Sequence, residues 1–420
     1  MTQRLHHVIG GGTFAPVRGH LALSSMAFGT TARILHDLLQ KAGEKSQLHL
    51  TKMADPMGSQ LVTNDDVSRL TDKLMLAEAT GIVFFNPALA DFDGTVGDVP
   101  ACKTAPRMNS RESDGAQMQL HTADKVIQRI RAGKTGRKDV FLVGFKATSG
   151  ATEDEQYQAG LRLLKEGSCN LVLANDIKTR KNMIIVPEEA RYCVTTDRQY
   201  ALRELVNMAL ARFDLNYTRS TVVDGPRVDW GGSEVPESLR SVVDHCIQRG
   251  AYKPFRGKTA GHFASRGVQE GEFLTSARGE NFNQLAKRGL VRVFANGDDE
   301  VIAHGAKPSV GGQSQRIIFN RFEDLDCIVH FHCPTKEGSP VNVREQKPYE
   351  CGSHECGENT ANGLVDYGDG IYAVMLDNHG PNIVFSRDVP PEKVIAFIEE
   401  NFDLGCKTGG RFDLLESDAG

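Results

Sequence analysis

The feature that most constrains this chain is the alternation of short apolar runs with helix-spaced segments through its first half. Residues 5–9 (LHHVI) run into Gly10, Gly11, Gly12 and Thr13, and further apolar runs at 81–91, 139–146 and 170–176 end in polar or glycine residues. Between them, Val126, Ile127 and Ile130 share a helical face, as do Tyr157, Leu161, Leu163 and Leu164. Strands and helices in this order predict a doubly wound, mostly parallel, Rossmann-like sheet. An amphipathic helix over about 197–213 closes it.

The pattern changes after a stretch rich in turn formers, NYTRSTVVDGPRVDWGGSEVPES, which reads as an interdomain linker. From about 235 a helix leads into glycine-punctuated strands. A strong strand is expected at 326–332, two more at 371–377 and 382–386, and a last helix near 391–402. This half reads as an α+β or α/β/α sandwich. A length of 420 residues suits two domains, placed at 1–220 and 235–412.

Bulk properties narrow the function classes. A net charge of -5 gives no basic surplus of the kind that nucleic-acid binding needs. No apolar run approaches the roughly 20 residues of a membrane span, and MTQRLHHVIGGGT lacks the apolar core of a signal peptide. The expectation is a cytoplasmic protein with no nucleic-acid or membrane partner. Nine scattered cysteines fit reduced thiols better than a disulfide framework. Cys351, His354 and Cys356 have the look of half a zinc knuckle, but no second pair lies nearby, so the segment reads as a loop beside another site.

The run Gly10 to Thr13 reads as a turn whose backbone N–H groups would approach a phosphate, with Arg18 adding a forked cation; a plain tight turn fits equally. The stretch GGGTFAPVRGHLALSSMAFG, followed by NPALAD, RMNS, VGFKATS and VLANDIKTR, resembles phosphopantothenoylcysteine synthetases, the ligases of coenzyme A synthesis, over about residues 5–213. The resemblance implies that Gly11, Gly12, Thr13, Ser24 and Ser25 hold phosphate. It places Phe145, Lys146, Ala174, Asn175 and Asp176 around a nucleotide triphosphate, CTP or ATP. The departures are Ala22 where the family has an intermediate-holding Asn, Met26 for a glycine, and Arg107 and Asn109 for lysines. An alanine cannot donate a hydrogen bond to an oxyanion.

In the second half, Val329-His330-Phe331-His332 puts two imidazoles on one face of a strand, one pleat apart. Catalytic zinc typically has three protein ligands and an open position, and His379 in LDNHGPNIVF is the candidate third. Imidazole also suits iron, cobalt or nickel. GKTAGHFASRG, EFLTSARGENFNQL, AKPSVGGQ, CIVHFHC, PYECGSHE and VMLDNHGPNIV together resemble the class II aldolase/adducin family over about 255–402. The resemblance implies a divalent metal, zinc foremost, on His330, His332 and His379. It implies a sugar-phosphate pocket at Gly261, His262, Ser276 and Ser309, with Lys307 and Arg266 in support, and His262 stands where the family has Asn. The family's proton-moving glutamate falls on Gly311, which leaves Glu350, Glu355 and His354 as substitutes.

The leading expectation is a two-domain metabolic enzyme. Its second domain would perform metal-dependent lyase or isomerase chemistry on a phosphorylated small molecule, and its first would bind a nucleotide. The alternatives are an atypical nucleotide-dependent carboxylate–amine ligase and a non-catalytic scaffold with a structural metal. Both resemblances imply a homo-oligomer, dimer or tetramer.

Overall fold

The computed structural model describes residues 4–109, 115–132, 137, 139–254, 257–297 and 300–408. The chain divides into two compact units, the first comprising 1–150, 159–185 and 193–213, the second 151–158, 186–192 and 214–420. Two short segments from the N-terminal half of the sequence therefore pack with the C-terminal unit.

The fold is mixed α/β. The sheet strands of the first unit are β1 (Leu5–Gly12), β2 (Ser46–Leu50), β3 (Thr80–Ala88), β4 (Phe141–Thr148), β5 (Leu171–Asp176), β6 (Asn182–Ile185) and β7 (Arg191–Thr195), the first two residues of β7 being counted with the second unit. Their order is β7-β6-β5-β4-β3-β1-β2. β1 pairs in parallel with β2 and β3, and β3, β4 and β5 continue the parallel ladder. β6 returns antiparallel. Strands buried on both faces read as continuous apolar runs, which is why Val8, Ile9, Ile82, Val83, Phe84, Leu142, Val143, Val172 and Leu173 form the core. The order reverses across β1, so the crevice beyond the carboxyl ends of β1 and β3 is the place where this architecture receives ligands.

Helix α1 (Thr30–Lys41) packs on β1 at Gly10, where an added Cβ would lie 2.3 Å from the Ala32 methyl. Helix α2 (Asn64–Leu76) starts with a reciprocal cap between Thr63 and Asp66. The helix predicted to close this half is α3 (Arg198–Phe213).

The second unit is built on a ten-stranded sheet. Its strands are β8 (Arg219–Val223), β9 (His262–Arg266), β10 (Glu272–Thr275), β11 (Val291–Ala295), β12 (Glu300–His304), β13 (Cys327–His330), β14 (Val343–Arg344), β15 (Val365–Asp366), β16 (Ile371–Leu376) and β17 (Gly380–Phe385). The order is β8-β12-β11-β10-β9-β13-β17-β16-β14, with β15 on β16. Helices α4 (Glu237–Gln248), α5 (Gly312–Arg321), α6 (His354–Gly363) and α7 (Pro391–Asn401) cover it. Successive strand residues face opposite ways. Ala264 joins Ile317, Ile318, Phe319 and Ala361 in one core cluster, whereas the neighbouring Phe263 ring lies against Trp230, Tyr252 and Phe282.

The stretch read as a linker is part of this unit. Residues 219–223 form the edge strand β8, parallel to β12. Trp230 is buried, and its indole N–H donates to Asp244 at 3.1 Å. Its turn formers are real, but Val228 and Trp230 give it apolar surface to bury, and burial overrides the compositional signal.

Candidate metal centre

β13 delivers His330 at its last residue, and the chain runs on through Phe331 to His332. His379 lies in the tight connection between the antiparallel strands β16 and β17. β17 pairs with β13, so the sheet carries the third imidazole to the first two. All three rings are buried, and one ligand nitrogen from each falls within 4.8 Å of the others. The ring centroids of His330 lie 5.0 Å from His332 and 4.6 Å from His379, and those two are 4.8 Å apart.

The tautomer of His330 follows from its surroundings. Its Nδ1 is 2.7 Å from the Pro381 carbonyl, which can only accept, so Nδ1 carries the proton and Nε2 presents a lone pair. That Nε2 stands 3.2 Å from His379 Nε2. Two nitrogens about 2.0–2.1 Å from one tetrahedral ion are separated by roughly 3.3–3.4 Å, so the observed spacing fits a shared cation. Burial pushes the His330 imidazole down to about 4, opposed by its bond to Pro381. The ring therefore stays neutral, as a ligand must. Tyr252 donates its hydroxyl to the His330 carbonyl at 3.0 Å and fixes the backbone.

Glycine is required twice here. A Cβ at Gly380 would lie 2.0 Å from the Phe331 carbonyl oxygen, and one at Gly261, where φ is 105°, would lie 2.7 Å from that of His330. Both positions let another strand approach the ligand-bearing strand closely.

The sheet also brings the sequence-predicted anion residues beside this centre. His262 pairs with His330 across β9 and β13, and their rings stack at 4.7 Å. Burial, then proximity to His330, holds His262 well below the usual imidazole range. Its Nδ1 meets the Gln315 side-chain amide at 2.8 Å. Ser276 accepts the Ser309 N–H at 2.9 Å on its carbonyl, so the two serine loops run side by side. The Ser276 side chain is buried, whereas Ser309 is half-buried.

Gly311 has a physical counterpart. A Cβ there would fall 2.1 Å from His262 Cδ2 and Nε2. The imidazole of His262 fills the room that a side chain at 311 would need, so the two departures from the family pattern are complementary.

Several of the expected residues are engaged elsewhere in the fold. The Arg266 guanidinium donates to the carbonyls of Phe319, Phe322 and Leu325 at 2.8–3.1 Å and caps the end of α5. Glu355 accepts from the Asn216 backbone and side chain at 3.1 and 2.8 Å. His354 is exposed, 3.0 Å from the Gln313 amide. Both are held by local structure at the start of α6, where Ser353 caps the helix. Glu350 is half-buried in the loop before it.

In the first unit, Gly10, Gly11 and Gly12 belong to β1 and do not form a turn between a strand and a helix. Gly12 donates its N–H to Ala27 and Thr13 donates its own to Ala88; the Thr13 hydroxyl is 2.6 Å from Asn64. Arg18 is buried on the carbonyls of Val17, Val96 and Val99. Ser24 pairs with Phe14 in a hairpin, and the Ser25 hydroxyl donates to Leu89. Apart from the Thr13 hydroxyl, which bonds the Asn64 side chain, these donors are taken up by backbone carbonyls. Phe145, Lys146, Ala174, Asn175 and Asp176 lie on β4 and β5, which pair in parallel register, with Lys146 opposite Ala174.

Residues 245–336 match the model of the Class II Aldolase and Adducin N-terminal domain. The matched segment carries His262, Ser276, Ser309, His330 and His332; His379 lies beyond it. No curated protein sequence matches the chain. Among solved structures, similarity extends to the DNA/pantothenate metabolism flavoprotein of Streptococcus pneumoniae, with 17% identity, 50% of this chain and 96% of that one covered, and a TM-score of 0.39. It extends also to an L-fuculose 1-phosphate aldolase, with 16% identity, coverage of 40% and 85%, and a TM-score of 0.30. YgbL of Escherichia coli, a putative aldolase/epimerase/decarboxylase, shows 19% identity, coverage of 39% and 83%, and a TM-score of 0.29. No helix among the described residues is long and apolar enough to cross a membrane.

Gln315, Tyr252, Pro381 and Thr408 escaped the sequence reading. Gln315 and Tyr252 act through contacts more than 50 residues distant in sequence, and no local pattern marks such contacts.

Proposed function

We propose that the second unit holds one divalent cation, zinc foremost, on His330, His332 and His379, and that it acts as a lyase or isomerase on a phosphorylated small molecule. The observation that carries this reading is the convergence of three buried imidazoles, one with its tautomer fixed for ligation. Such an ion supplies Lewis-acid stabilisation of charge developing next to a carbonyl. The chain's own residues then have separable tasks. Pro381 and Tyr252 orient His330. His262, kept neutral by burial and tied to Gln315, stands beside the centre in the place of a side chain at 311. Gly261, Ser276 and Ser309, with His262, form the polar ground on which a phosphate would be received.

Nucleotide triphosphate binding, CTP or ATP, is the proposed task of the first unit. The crevice beyond β1 and β3 and the residues Lys146, Asn175 and Asp176 support it. The engagement of the Gly12 and Thr13 N–H groups favours a contact made by side chains over one made by the glycine run. A self-associated protein, dimer or tetramer, is the proposed assembly.

The non-catalytic reading is favoured by one observation, the filling of the space at Gly311 by His262. Metal content separates the readings at their root. Chelator-stripped protein should take up one equivalent of zinc, and His330→Ala and His379→Ala should abolish uptake while the chain remains folded. Stoichiometric metal in both variants refutes the assignment. Loaded protein that exchanges no ligand at the ion, tested with azide or inorganic phosphate on the cobalt(II) form, supports a structural role.

A further inference from the structure

Residue 408 is hydrogen-bonded to the backbone of the histidine centre. Thr408 donates its N–H to the His332 carbonyl at 3.2 Å and its hydroxyl to the His379 carbonyl at 2.8 Å. One residue thus ties together the backbones of two of the three candidate ligands. Its neighbour Lys407 is buried, and its ammonium pairs with the buried carboxylate of Glu189.

Glu189 belongs to residues 186–192, which come from the N-terminal half of the sequence but pack within the second unit. Val186 accepts the Glu189 N–H at 3.1 Å and donates its own N–H to Ala190 at 3.2 Å, which makes a tight turn. Glu189 sits in that turn at φ 60°, a backbone conformation that residues other than glycine rarely adopt. Its carbonyl accepts the Tyr157 hydroxyl at 2.6 Å. Arg191 is anchored on Asp154 at 3.1 Å. Tyr192 donates its hydroxyl to the Asp377 carbonyl at 3.0 Å, two residues before His379. The connection that carries His379 therefore has a carbonyl hydrogen-bonded at each end, Asp377 to Tyr192 and His379 to Thr408. Tyr192 bonds it directly at Asp377, and Thr408, which bonds it at His379, is the neighbour of the Lys407 that pairs with Glu189.

We infer that the 186–192 turn is a positioning element of the metal centre, with Glu189 acting through the Lys407–Thr408 strap and Tyr192 through Asp377 to set the spacing of His332 and His379. A buried lysine requires its anion. Without Glu189, Lys407 moves toward water and takes Thr408 with it, releasing both ligand carbonyls. Groups that orient ligands from behind typically alter metal affinity by about 10–100-fold, and that is the size of effect expected here. The inference rests on the proposal that the three histidines hold a cation.

The test uses the full chain. Zinc affinity is measured by competition with a chromophoric chelator, and the cobalt(II) absorption spectrum reports ligand geometry. The wild-type chain should bind one ion. Glu189→Gln and Lys407→Met should each weaken zinc binding about tenfold or more and shift the cobalt bands. The double variant should be no weaker than the worse single, since both remove the same pair. Tyr192→Phe loses a single hydroxyl, and it keeps the test decisive if the charge variants fail to fold; it should weaken binding and shift the same bands. Variants with wild-type circular dichroism that bind zinc with the wild-type constant and show an unshifted cobalt spectrum overturn the positioning role. A wild-type chain that takes up no ion overturns the metal reading itself, and the two failures are thus distinct.

Discussion

Replacing Gly380 by alanine tests the centre at the point where its geometry is tightest. The new Cβ would start 2.0 Å from the Phe331 carbonyl oxygen, 3.0 Å from its carbon and 3.2 Å from His332 Cα. Cβ contacts below about 3 Å are essentially never tolerated, so β17 and the segment 331–332 must separate by roughly 1 Å at the least. The obstacle is backbone, so no side chain can rotate away. That separation acts between His332 and His379, whose metal distances must hold to about 0.2 Å. The expected result is a loss of zinc affinity of tenfold or more, equivalent to about 1.4 kcal/mol. Overpacking of this kind also costs about 1–3 kcal/mol of stability, which lowers the melting temperature of a unit this size by roughly 2–12 °C. Competition titration of chelator-stripped protein measures the first quantity and calorimetry the second. A variant that melts lower but binds zinc as the wild type does would refute the claim that this close approach sets the ligand spacing.

Two further outcomes concern other parts of the fold. His7 lies buried beside His49 at 3.1 Å; burial, then His49 and His6, lower it to about 4 from 6.5. Because the unfolded chain binds the proton more readily between those values, stability should fall as pH drops from about 6.5 toward 4 and should not vary through this group above that window. His7→Gln should flatten that part of a melting-temperature profile, and an unchanged slope would refute the assignment. Arg266→Ala removes three bonds to partly buried carbonyls at the end of α5. It should destabilise the protein by about 2–3 kcal/mol in denaturant titration and leave binding of inorganic phosphate unchanged; weaker phosphate binding at unchanged stability would restore the electrostatic role first expected of it.

The sequence determined more of this protein than any single motif in it. Alternating apolar runs fixed a mixed α/β architecture, because a strand buried on both faces has to be apolar throughout and the crossover helices have to be amphipathic. The spacing of His330 and His332 fixed their shared face, because side chains on a strand alternate. His379 was legible as a partner only through its family context, since it lies 47 positions after His332.

Tertiary structure decided the rest. Arg18 and Arg266 looked like anion ligands, and the fold brings backbone carbonyls within reach of both guanidiniums. The linker became a strand and a buried Trp230, because apolar side chains outweighed turn-forming composition. The glycine run was drawn into β1, where its lack of side chains admits a helix and a loop. Whether Gly311 leaves an open space, and whether Glu189 bears on a histidine about 190 residues further along, depends on which surfaces come within van der Waals contact. That information is absent from local spacing, because short-range patterns record the preferences of a segment and not the identity of the surface it will meet.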